Sequence, residues 1–128
     1  MKRSVSILLI LSVFIFLCAC SSAVDLTGSD AAERILEISE DPTSYLGKTL
    51  KVSGYYTSET FAGTTYHYVM KTTPDAAQNV GFEIRWKGEY PPSGTAVSVT
   101  GTLMTETVYG QAYIFLDVTE FHILQRVG

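Results

Sequence analysis

The chain has 128 residues, 46% of them apolar, with 9 basic and 13 acidic side chains and a net charge of −4. That length allows one domain, and the acidic balance argues against nucleic-acid binding, whose affinity comes largely from basic side chains neutralising phosphates. The only cysteines are Cys18 and Cys20, close to the N-terminus, so neither a disulfide framework nor a thiolate metal centre is expected in the folded part.

Lys2 and Arg3 precede an apolar run, Val5 to Leu17, interrupted by Ser6 and Ser12. At 13 residues the run is shorter than the roughly 20 needed for a spanning helix, which disfavours an uncleaved membrane anchor and favours a signal segment over residues 1–19. The run ends in Leu17-Cys18-Ala19-Cys20, which resembles the lipobox of bacterial lipoproteins, although Cys18 stands where that box prefers a smaller residue. The resemblance implies cleavage before Cys20, thioether lipidation of its sulfur and acylation, by a fatty acid such as palmitate, of the new amine. The domain would then sit on the extracytoplasmic side of a cell-envelope membrane. Several acyl chains, at about 0.8 kcal/mol per buried methylene, make a stable anchor. Without Lys2 and Arg3 the balance is 7 basic to 13 acidic residues, a net of −6.

Ser21 to Ser29 is small and polar and reads as a flexible tether, so that residues 20–29 form the lipidated cysteine and its spacer and residues 30–128 the domain. Such a tether would hold the domain roughly 15–20 Å from the bilayer. Asp30 to Ser39 is the one expected helix, with Asp30 and Glu33 spaced as a capping-box-like pair and Ala31, Ile35 and Ile38 on one face. Pro42 ends it. The helix is expected to plug an open end or side of the domain, with Tyr45 and Leu46 packed beneath it.

Everything after Gly47 reads as strand. Lys48 to Thr57 and Ala96 to Thr107 alternate apolar and polar residues through an interior glycine, Gly54 and Gly101. Interior glycines mark bulges or sharp bends, and two long bent strands suit a small closed barrel in which one strand serves two sheets. Thr65 to Lys71, Val80 to Lys87 and Gln111 to Val118 supply three more strands, with hairpin signals at Ala62-Gly63 and Tyr109-Gly110 and a firm turn at Pro91-Pro92. The expected architecture is all-β, a five-stranded barrel with one N-terminal helix.

Asp41-Pro42, Tyr45-Leu46-Gly47-Lys48 and Leu50, Val52 and Gly54, followed by Gly81-Phe82-Glu83-Ile84-Arg85-Trp86, Tyr90-Pro91 and Val97 to Gly101, resemble small bacterial lipoproteins with an OB-fold domain of the tRNA-anticodon-binding-like group. The resemblance runs from about Asp41 to Val118. It implies an OB-fold-like Greek-key barrel and supplies no biochemical activity.

The two histidines, His67 and His122, lie far apart and no nucleophile elbow or phosphate-cradling loop accompanies them, so no enzyme, cofactor or metal site is expected. Aromatic residues are the suggestive feature. With His67 and Lys71 taken as outward-facing, the candidate ligand face comprises His67, Lys71, Arg85 and Lys87, with Tyr55, Tyr56 and Tyr109 at its rims. Tyr66, Tyr68, Phe82, Trp86 and Phe115 are then core. The expected function is a binding or adaptor module for a protein, small-molecule or glycan partner. The alternative is a structural envelope protein acting through protein–protein contacts.

Overall fold

A computed structural model describes residues 23–75 and 77–125. The expected signal segment and Cys20 lie outside the described residues. Six strands and one helix follow in order: β1 (Val24–Leu26), α1 (Ala31–Glu40), β2 (Thr49–Phe61), β3 (Thr64–Thr72), β4 (Asn79–Arg85), β5 (Ala96–Val108) and β6 (Gln111–Gln125). The sheet order is β1-β2-β3-β4-β6-β5, and a further pairing of β2 with β5 closes β2 to β6 into a five-stranded, OB-fold-like Greek-key barrel.

Closure depends on β2 serving two neighbours in succession. Thr49 to Tyr55 pair with β5, and Tyr55 to Phe61 pair with β3. The change of partner falls at Gly54-Tyr55, and a Cβ at Gly54 would overlap the Met70 carbonyl oxygen. Gly101 follows an irregularity in the β5–β6 register at Thr100, and a Cβ there would stand 2.6 Å from the Asp117 carbonyl oxygen. Bulges of this kind bend a strand enough to turn a barrel corner. The stagger follows from the register: Lys48 bonds to Leu103, which pairs in turn through Leu116, Ile84 and His67 to Ser58. One circuit therefore climbs ten residues along β2, so the strands are strongly tilted, and with only five strands the interior is narrow.

That narrow interior takes Leu50, Val52, Val69, Phe82, Ile84, Val97, Val99, Leu103 and Leu116, all essentially buried. In β3 this reverses the expected faces. Val69 points inward, with His67 and Lys71 on its side at either end, and Tyr66, Tyr68 and Met70 point outward. Both faces of β3 carry apolar or aromatic groups, and the smaller one fits inside. Phe115 likewise lies outside, under the Arg85 guanidinium at 3.7 Å.

The expected tether is corrected as well. Val24 to Leu26 form a parallel strand on Leu50 to Val52, and the Leu26 side chain is 0% exposed. The folded domain thus begins before Asp30, at β1. This strand occupies the edge of β2 that β3 does not reach, and α1 packs across β1 and β4 through Ala31, Ala32, Ile35 and Ile38. Asp30 makes no side-chain cap; the first turn is tied instead by the Ala31 amide donating to the Gly28 carbonyl. Tyr45 packs against the core, whereas Leu46 is exposed.

Two hairpins project from the barrel as free ribbons. β2 and β3 continue past their other partners to Ala62-Gly63, and β5 and β6 continue to Tyr109-Gly110. Both loops have two residues with positive φ, 51° and 82° in the first and 50° and 78° in the second. These are type I′ turns, whose twist matches that of paired strands.

Candidate functional site

Between the two ribbons lies an open groove of ≈610 Å³. Thr64 to His67 of β3 form one wall, Glu83 to Arg85 of β4 with Trp86, Lys87 and Tyr90 the floor and end, and Glu106 and Asp117 of β5 and β6 the other wall. β4 stops at Arg85, so Trp86 and Lys87 belong to the connection that leads to Tyr90 rather than to the strand.

The end of the groove is an aromatic stack. The His67 ring lies parallel to Tyr90 with centroids 3.7 Å apart, Tyr90 meets Tyr56 at 5.4 Å, and Phe121 contacts both Trp86 and Tyr90. The Trp86 amide donates to the Tyr90 hydroxyl at 2.8 Å, which fixes that ring to the connection. Tyr56 is 3% exposed, and its hydroxyl lies 2.6 Å from His67 Nδ1. In the neutral imidazole with its proton on Nε2, that hydroxyl donates to Nδ1. With a proton on Nδ1 the roles reverse and the hydroxyl accepts, so it is burial of the ring that disfavours its charged form.

Burial lowers the His67 pKa below its ordinary value, and the nearby Glu83 opposes the shift. In the unfolded chain the ring gains its proton first as pH falls. The stabilising contribution is therefore complete above about pH 6.5 and is lost as pH drops through that value towards the lower folded pKa. Melting temperatures between pH 8 and pH 5 should fall more for the wild type than for His67→Gln. Parallel curves would mean that the ring titrates as it does in the unfolded chain.

Along the floor, charge is paired. Arg85 Nε donates to Glu83 at 2.9 Å, and its two terminal nitrogens donate to both oxygens of Glu106 at 2.9 and 3.1 Å. These bonds raise the Arg85 pKa, and the same pairing holds the Glu106 carboxyl below its usual range. Arg85 therefore clamps the β5–β6 ribbon to the end of β4 and is not a free anion receptor. Next to it, the Tyr68 phenol is pushed up by burial and by Glu83, Glu59 and Tyr66, and stays neutral. Three carboxylates, Glu83, Glu106 and Asp117, outnumber Arg85 and Lys87 along the groove.

Of the residues expected to form the ligand face, His67, Arg85 and Lys87 line the groove. Lys71 reaches the Ser53 carbonyl and hydroxyl on β2 instead, at 3.3 and 3.2 Å. Tyr56 is core rather than rim, Tyr55 lies on β2 away from the groove lining, and Tyr109 is fully exposed at the tip of its ribbon. The sequence reasoning missed Tyr66, Trp86 and Tyr90, the first two because the faces of β3 and the end of β4 were misplaced. Tyr90 carried one signal: an aromatic residue directly before Pro91-Pro92 has a restricted backbone and makes a rigid anchor. Among the described residues no cluster of His, Cys, Asp and Glu could hold a metal ion. In comparisons with known proteins, the chain matches no family model and no curated protein.

Proposed function

We propose that this chain is an extracytoplasmic binding module, anchored to a cell-envelope membrane through lipidated Cys20, whose groove takes an uncharged or cationic ligand. The groove carries the reading: half-buried rings stand at its end beside carboxylates that leave it slightly negative. Rings offer faces for stacking on a flat or ring-bearing group, and paired carboxylates accept hydrogen bonds. A glycan or a peptide segment supplies both kinds of partner. Polyanions are disfavoured, since the one guanidinium present is held by two carboxylates and the anchored domain carries a net charge of −6.

Thermal unfolding in the presence of envelope glycans and short neutral or basic peptides tests this. A ligand of the groove should stabilise the protein saturably, by about 2.7 kcal/mol at a hundred times its Kd. Tyr66→Ala, at a half-exposed position, should weaken that response without unfolding the domain, whereas Lys87→Glu, at an exposed position, should strengthen the response to basic peptides. A labelled oligonucleotide at about 50 mM salt, where electrostatic binding is exaggerated, should show no micromolar affinity. Tight oligonucleotide binding that Lys87→Glu abolishes would replace this reading with a nucleic-acid site.

A further inference from the structure

The β5–β6 ribbon gathers much of the exposed apolar surface of the described residues. Met104, Val108, Tyr109 and Tyr113 all stand open on it, with Tyr109 entirely in solvent, while the β2–β3 ribbon exposes only Phe61 among large apolar groups. No charged residue lies between Glu106 and Asp117, and Glu106 is already paired with Arg85. Seating this ribbon in an apolar or interfacial medium would strip water from no unpaired charge.

The register shows where the ribbon points. β1 is parallel to β2, and β2 is antiparallel to β5, so the chain enters β1 from the side towards which the β5–β6 ribbon projects. Val24 pairs with Leu50, and Leu50 pairs with Gly101, which places Val24 and Gly101 at one level. From there Tyr109 lies eight residues further along β5 and its turn, about 26 Å at the usual rise of a strand. Cys20 lies only four Cα steps from Val24, which span at most about 14 Å when fully extended. The arm is therefore longer than the leash beside it.

We infer that the β5–β6 ribbon docks on the lipid bilayer that holds the acyl chains, with Tyr109 and Val108 at the headgroup boundary. This rests on lipidation at Cys20. With Val24 held within about 14 Å of the bilayer, a ribbon that points towards the membrane reaches it before the leash is fully extended. Tyrosine suits that boundary because its ring is apolar and its hydroxyl is polar. Attraction to anionic headgroups plays little part, since the domain is acidic. Docked in this way, the barrel presents the β2–β3 ribbon and its Phe61 tip away from the bilayer, and the groove between the ribbons opens sideways along the membrane surface.

The full chain, purified from membranes and reconstituted into phosphatidylcholine vesicles with a headgroup-region spin-labelled lipid, tests this. Variants Tyr109→Cys and Phe61→Cys each place one thiol for an environment-sensitive fluorophore, because Cys18 leaves with the signal segment and the Cys20 sulfur is blocked. The mass of the N-terminal peptide reports acylation separately. With acylated protein, the probe at position 109 should be quenched at least about threefold more than the probe at position 61, and equally in vesicles containing phosphatidylglycerol. Equal quenching at the two positions, or stronger quenching at 61, in acylated protein would overturn the docking and leave the anchor standing. An N-terminal peptide without acyl mass, together with labelling of the unsubstituted chain, would overturn the anchor and the docking with it.

Discussion

Gly54→Val should prevent the barrel from closing. At this residue β2 exchanges β5 for β3, and any Cβ would overlap the Met70 carbonyl of the neighbouring strand. Backbone oxygen does not move aside as the end of a flexible side chain does, so relief requires β2 and β3 to part where the barrel turns its corner. The expected cost exceeds about 3 kcal/mol, a large fraction of the 5–15 kcal/mol that stabilises a typical domain. Gly81→Ala belongs to the same class. Its Cβ would overlap the Val69 carbonyl oxygen and stand 2.7 Å from the Met70 sulfur. Gly110→Ala is the contrasting case, with φ of 78° and nothing within 4 Å, so only the left-handed backbone is penalised, by about 1 kcal/mol. Denaturant midpoints of the three variants separate steric overlap from backbone preference. Gly54→Val within about 0.5 kcal/mol of wild type would mean that β2 does not bend there.

Leu26→Ala should cost about 2–5 kcal/mol, as for other fully buried leucines. Leu26 is 0% exposed and belongs to the same core as Ile35 and Ile38 of α1. Removing its side chain leaves a cavity beneath the helix where β1 covers the edge of β2. Leu46→Ala, at a residue 37% exposed, should stay within about 0.5 kcal/mol. Equal midpoints for the two variants would show that β1 is a dispensable tether after all.

The two ribbons differ in how they are held. A two-stranded hairpin is only marginally stable by itself. The β5–β6 ribbon is braced at its base by the bidentate Arg85–Glu106 pair and by Phe115 beneath the guanidinium. Arg85 and Glu106 also line the groove.

Alternation and glycine placement in the sequence determined the all-β class, the positions of β2 to β6, both hairpin turns and the need for bent strands. These are local properties: side chains alternate along any strand, and interior glycines are tolerated where a neighbouring backbone comes close. Arg85 and Lys87 were legible as outward-facing neighbours, but the pairing of Arg85 with Glu83 and Glu106 was decided by the tertiary structure. Which face of β3 points inward was decided only by the tertiary structure. Tyr66, Tyr68 and Met70 alternate with His67, Val69 and Lys71, and periodicity carries no sign when both faces contain apolar groups. In the closed barrel Val69 packs into the interior beside Phe82 and Ile84, so His67 turned in towards Tyr56, and Tyr66 and Tyr68 turned out. Three residues, Val24-Asp25-Leu26, are too few to show a period, and β1 exists because the long β2 leaves an edge beyond the reach of β3. Sequence spacing could count the residues from Cys20 to the domain only once that strand had fixed where the domain begins.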